Sequence, residues 1–185
     1  MERIIRVDAF AYLLGALFLI LVPLRWGMAV VTAALIHEGF HLLMVFLCGG
    51  QLRRITVRPT GTQIVSSLPD PKKQALCIAA GPLGSFLLLA LSRVFPEAAL
   101  AGMVQGTVNL LPIGTLDGAR LAEILLPIPV CRALEVFTLI LLSGLLVMLW
   151  VHLGGTHAML IPLLCIWLWS NRRKIPCKAK VFAIQ

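Results

Sequence analysis

Long apolar runs separated by short polar breaks set the plan of this chain. A helix crossing about 30 Å of hydrocarbon needs about 20 mostly apolar residues. Six stretches of that kind lie along the sequence, at about Val7 to Leu24, Gly27 to Leu47, Gln74 to Leu91, Ala98 to Leu116, Glu135 to Leu153 and His157 to Ser170. The first follows Arg3 and Arg6, as the core of a signal peptide would, but no small-residue cleavage site follows and the next apolar run begins almost at once. It reads as a retained helix. Between the second and third runs, Leu52 to Arg58 and Thr62 to Ser66 are rich in Ile, Val and Thr and flank the turn sequence Arg58-Pro59-Thr60-Gly61. The pattern predicts an all-α, polytopic membrane helical bundle of about six transmembrane helices, with a short β-hairpin between the second and third.

Composition sharpens this. Of 185 residues, 59% are hydrophobic and 13% charged, with a mean hydropathy of +0.96, which excludes a large soluble domain. The net charge of +8 would raise nucleic-acid binding in a soluble protein. Here the distribution decides otherwise: with six spans, 14 of the 16 Lys and Arg fall on one side and 2 on the other, the asymmetry of a chain whose basic side faces the cytoplasm. Both termini and the hairpin are therefore expected there, and no nucleic-acid partner is. Residues 1–170 read as a single transmembrane domain and 171–185, with Arg172, Arg173, Lys174, Lys178 and Lys180, as a basic cytoplasmic anchor. The five cysteines show no CxxC spacing and read as small apolar fillers.

Ionisable groups inside such spans are costly unless paired or hydrated, so the few present are informative. They are His37, Glu38 and His41 in the second span and Asp117 at the end of the fourth. His37-Glu38-Gly39-Phe40-His41 is an HExxH sequence. On a helix its two histidines lie one turn apart on one face and reach one zinc ion, and the glutamate stands beside the metal as a general base for water. Asp117 is the remaining carboxylate at membrane depth. A continuous fourth helix would carry it about 30 Å down, to the far boundary, but Asn109-Leu110-Leu111-Pro112-Ile113-Gly114-Thr115 supplies a break, because Pro112 lacks a donor and Gly114 relaxes the backbone. Irregular backbone at that depth is tolerated where it is buried or lines a water-filled cavity. Gly102 and Gly106 form a GxxxG spacing suited to close approach, read here as packing against the second helix.

HExxH in one transmembrane helix, followed in a later one by Asn109-x-x-Pro112-x-x-x-x-Asp117-Gly118, resembles the site-2 protease family of intramembrane zinc metalloproteases. The resemblance covers about Ala33 to Leu121. It implies Zn²⁺ on His37, His41 and Asp117, Glu38 as the catalytic base, and Asn109 and Pro112 on the substrate side. A Gly-Pro-x-x-Asn motif of many members appears as Gly81-Pro82-Leu83-Gly84-Ser85, with serine for asparagine; a kink and close helix packing serve equally well at that position. The chain has room for neither the PDZ nor the CBS domain that members often carry, and it looks most like the branch that includes the sporulation processing proteases, in a bacterial cell membrane. The resemblance implies cleavage of a membrane-anchored regulatory protein, with a membrane-protein regulator as a possible partner. The edge of the β-rich hairpin could pair with an unwound substrate strand, a plain connecting hairpin being the equal alternative. The polar cluster alone also fits an ion or proton pathway, against which stands the absence of an inverted repeat, or an inactive zinc-binding scaffold, which would have no use for Glu38.

Overall fold

The computed structural model describes residues 5–7, 15, 17–18, 20–58, 61–68, 70–152 and 183–184. Half of the first expected span, the whole of the sixth and most of the basic tail lie outside them. The chain divides into two compact units, residues 1–110 with 178–185, and residues 111–177.

The first unit opens with a short strand, β1 (Ile5–Val7), and then a 24-residue helix, α1 (Leu24–Leu47). Pro23 stands where the first turn needs no donor. The helix ends as Gly49 takes a positive φ of 74° and Gly50 N–H returns to the Val45 carbonyl at 2.8 Å, a left-handed glycine termination. The expected hairpin follows as β2 (Gln51–Arg58) and β3 (Gly61–Ser67), antiparallel with Arg58 opposite Gly61. It is part of a four-stranded sheet: β1 runs parallel to β2 along Ile55 to Val57, and β4 (Ala183–Ile184) pairs with Ile64 and Val65 of β3. The hairpin thus has a strand of this chain along part of each outer edge, three residues of β2 and two of β3. The fold is mostly helical, as expected, with the hairpin enlarged to a small sheet.

Helix α2 (Pro71–Leu87) starts three residues earlier than the apolar run, because Asp70 caps it, accepting Lys72 N–H at 2.9 Å, and Pro71 fits its first turn. A 3₁₀ turn at Leu88–Leu91 continues it. Helix α3 (Pro96–Asn109) has 14 residues, about 21 Å at 1.5 Å per residue, too short to cross a bilayer. The expected break therefore occurs, and the fourth span is not a continuous helix to Leu116.

Burial in this unit is inverted relative to a soluble protein. On α1 the buried positions form a four-residue stripe of small or polar groups, Ala29, Ala33, His37, His41 and Val45, while Met28, Leu35 and Leu47 are exposed by 61%, 69% and 70%. Such a surface is stable only against lipid. Three described helices, Leu24–Leu47, Pro71–Leu91 and Ile128–Met148, are long and apolar enough to cross a membrane, and the chain is a membrane protein.

Helices α1 and α3 begin at one level, where Arg25 Nη2 meets Glu97 Oε1 at 2.8 Å. From that pair, His37 and Asn109 are each twelve residues on, about 18 Å deep. The GxxxG pair faces α2 rather than α1: a Cβ at Gly102 would meet the Ser85 carbonyl oxygen at 2.6 Å, and one at Gly106 would meet Phe86 at 3.1 Å and Ser85 Cβ at 3.2 Å.

The second unit holds the turn after α3, a nine-residue helix α4 (Asp117–Leu125) and a 25-residue helix α5 (Ile128–His152). The last begins seven residues before the expected Glu135, because Pro129 is tolerated in its first turn and Arg132 is a helical residue rather than loop.

Gly102→Ala should destabilise the protein by about 1–3 kcal/mol, since a backbone carbonyl cannot move aside. Gly144→Ala, on α5 with nothing within 4 Å of the new methyl, should be neutral or stabilising by up to about 1 kcal/mol. Thermal unfolding of the two variants in detergent checks the contrast.

Candidate metal centre

The helical period puts His37 and His41 on the buried stripe of α1, and both are closed to solvent, with exposures of 1% and 0%. Their rings meet edge to face with centroids 4.8 Å apart, and the two Nε2 atoms are 3.3 Å apart. Two nitrogens bound to one tetrahedral zinc at about 2.0–2.1 Å each would be about 3.3–3.4 Å apart. The pair is therefore already at the spacing that a shared ion requires.

The other ring nitrogens are anchored on α2. His41 Nδ1 donates to the Cys77 carbonyl at 2.7 Å. A carbonyl only accepts, so the ring proton is on Nδ1 and the Nε2 lone pair faces the centre. His37 Nδ1 lies 2.9 Å from Ser85 Oγ. Cys77, Gly81 and Ser85 are successive members of a four-residue stripe on α2, laid antiparallel against His41 and His37.

Gly81 is what lets the helices approach. A Cβ there would fall on the His41 imidazole, closest to Nε2, and one at Gly84 would fall on the Phe40 ring. Gly81 therefore leaves open the space that His41 and a ligand at its Nε2 would occupy, and α1 and α2 are pressed together above and below it. Pro82 lies inside α2 beside it, fully buried.

Glu38 is half-buried, with Oε2 shut away from solvent. It continues the stripe Trp26, Val30 and Ala34, which lines an apolar groove of about 510 Å³ between α1 and α3; Gln105 is the polar residue of that lining. Asn109, the last residue of α3, brings its amide Nδ2 to 3.4 Å from His37 Nε2. Of the residues expected at the site, the first unit thus brings together His37, Glu38, His41 and Asn109.

Pro112 and Asp117 belong to the second unit. After α3 the chain turns through Gly114, with φ at 56°, a left-handed conformation that glycine adopts without strain. Gly114 N–H donates to Glu135 Oε1 at 2.9 Å, tying the turn to α5. Asp117 is the first residue of α4, fully buried, at a helix start where negative charge is favoured. Like the two histidines it offers one ligand atom.

Sequence reasoning missed three supports. The role of the Cys77 carbonyl leaves no trace in side-chain identity. Ser85 stood in a motif but was not assigned to His37. Glu135 was read as the start of the fifth span beside a loop, although an acidic residue in an apolar helix was a signal that it holds a polar group.

No protein-family model and no curated protein sequence matches the chain. Among solved structures, a site-2 protease from Methanocaldococcus jannaschii is similar over 97% of this chain and 96% of that one, with a TM-score of 0.58 and 17% sequence identity. The two share a fold.

Gly81→Ala should cost at least tenfold in zinc affinity while leaving helix content intact, because the new methyl takes the place of the His41 ring; metal content after dialysis against a zinc buffer, with circular dichroism, tests it.

Proposed function

We propose that the chain is an intramembrane zinc metalloendopeptidase that cleaves a transmembrane or membrane-associated segment of a regulatory protein, by regulated intramembrane proteolysis. The observation that carries this reading is the pair of Nε2 atoms 3.3 Å apart, about 18 Å down a membrane-spanning helix, with the HExxH glutamate between them in sequence. The fold shared with a site-2 protease supports it.

His37, His41 and Asp117 would hold Zn²⁺, with Asp117 supplying the carboxylate ligand. When bound, the ion polarises a carbonyl and makes water acidic enough to act near neutral pH. The protein's own groups do the rest. Glu38 takes the proton of the attacking water and passes it to the leaving amine. Asn109, beside His37, presents amide donors to the substrate backbone. Pro112 keeps the chain from continuing as helix past that depth and so leaves room for an unwound segment. Cys77 and Ser85 hold the two imidazoles while the proton moves.

The substrate class follows from the surroundings. The groove beside α1, one helical turn from Glu38 at Ala34, is lined by Trp26, Val30, Ala34, Val104 and other apolar groups, which suits the side chains of an apolar membrane segment. Both termini would face the cytoplasm of a bacterial cell, and a membrane-protein regulator would control access. A membrane-anchored transcription factor or its inhibitor, in a sporulation pathway among others, fits this chemistry.

The test is zinc content with cleavage of transmembrane-helix substrates in liposomes. Wild type should carry about one zinc per chain and cleave. Glu38→Gln should keep the zinc and lose about 10²–10⁴-fold in rate. Asp117→Ala should lose both metal and cleavage. Wild type without zinc would sink the reading in favour of an ion pathway, and zinc without any cleavage by wild type would leave a scaffold.

A further inference from the structure

An imidazole that offers Nε2 to a metal carries its proton on Nδ1, and in a site closed to water that proton needs an acceptor. The two histidines meet this need differently. His41 uses the Cys77 carbonyl, a group fixed by the backbone of α2. His37 has Ser85 Oγ at 2.9 Å, and Ser85 is itself fully buried, with 0% exposure.

A serine hydroxyl can donate or accept, so the contact alone does not set the tautomer. The opposite side of the ring does. Asn109 Nδ2 lies 3.4 Å from His37 Nε2, and an amide NH₂ only donates, so Nε2 presents its lone pair and Nδ1 bears the proton. With the ion bound, the lone pair of His37 Nε2 goes to the metal beside that of His41 Nε2, 3.3 Å away, and the His37 proton then stays on Nδ1.

We propose that Ser85 is a positioning residue of the metal centre: its hydroxyl accepts the Nδ1–H of His37, fixes that tautomer and aims Nε2 at the ion. The proposal rests on the zinc reading of the site and assigns a role to the serine that stands in the Gly81-Pro82-Leu83-Gly84-Ser85 segment. It also explains why α3 bears glycine against this position. Gly106, whose Cβ would come within 3.2 Å of Ser85 Cβ, leaves the serine free to keep its rotamer toward α1.

The test uses full-length protein in detergent, wild type and Ser85→Ala, with histidine labelled by ¹⁵N. The chain has four histidines, so the spectrum is simple to assign with a His37→Gln control. In zinc-loaded wild type, the His37 Nδ1–H should show the low-field shift and slow exchange of a hydrogen-bonded ring proton, and Ser85→Ala should lose both. Zinc affinity from competition with a chelator should fall by about 10–100-fold in Ser85→Ala, while its helix content by circular dichroism stays that of wild type. A zinc-loaded wild-type His37 whose Nδ1–H lacks that signature, or a Ser85→Ala variant that keeps both the signature and the wild-type zinc affinity, overturns the proposal and leaves the zinc reading standing. Wild type that takes up no zinc overturns the zinc reading itself, and this proposal with it.

Discussion

The close approach of α1 and α2 at Gly81 and Gly84 is the contact on which the site depends. Apolar side chains gain little by leaving lipid for a protein interior, so helices in a bilayer associate through fit and hydrogen bonds rather than through water exclusion. Here fit and hydrogen bonding coincide on one stripe. Gly81 removes the side chain that would stand where His41 stands, and the backbone then comes near enough for the Cys77 carbonyl and Ser85 hydroxyl to reach the two imidazoles. The same contact that joins the helices also orients the histidines.

This arrangement answers the cost of placing polar groups at membrane depth. Each buried imidazole would lose several kcal/mol if left without a hydrogen-bond partner in hydrocarbon. The histidines are instead placed on the small-residue stripe of α1, between Ala33 and Val45, where α2 can reach them. Large apolar groups are turned outward; only 6% of the apolar window of α5 is buried. Gly102 and Gly106 extend the same rule to α3, which packs onto the far side of Ser85.

Much of this was legible in the sequence, for physical reasons. HExxH on an apolar helix specifies two ligands and a base through the 3.6-residue period alone, and Pro112 with Gly114 announces a break in any helix. The hairpin was legible from β-branched runs about a Pro-Thr-Gly turn. Helix starts were less so: Pro71 and Pro129 are first-turn residues, so α2 and α5 begin earlier than hydropathy alone indicates. Pairings between distant segments were illegible. Nothing local in Ile5–Val7 or Ala183–Ile184 tells that they flank β2 and β3, and nothing in GxxxG tells which helix its glycines face.

Depth is the quantity that joins these observations, and it is set by counting. Arg25 and Glu97 pair where α1 and α3 begin, and twelve residues of helix carry each chain the same distance, to His37 and to Asn109. Were α3 to continue as helix, its next polar group would pass below the histidines by about 1.5 Å per residue. It ends at Asn109 instead, with Pro112 lacking the donor that a further turn would require. The length of α3, too short for a bilayer, is thus fixed by the position of His37 on its neighbour: a ligand-bearing helix of 24 residues and a partner of 14 share a starting level so that the shorter one stops where the chemistry is.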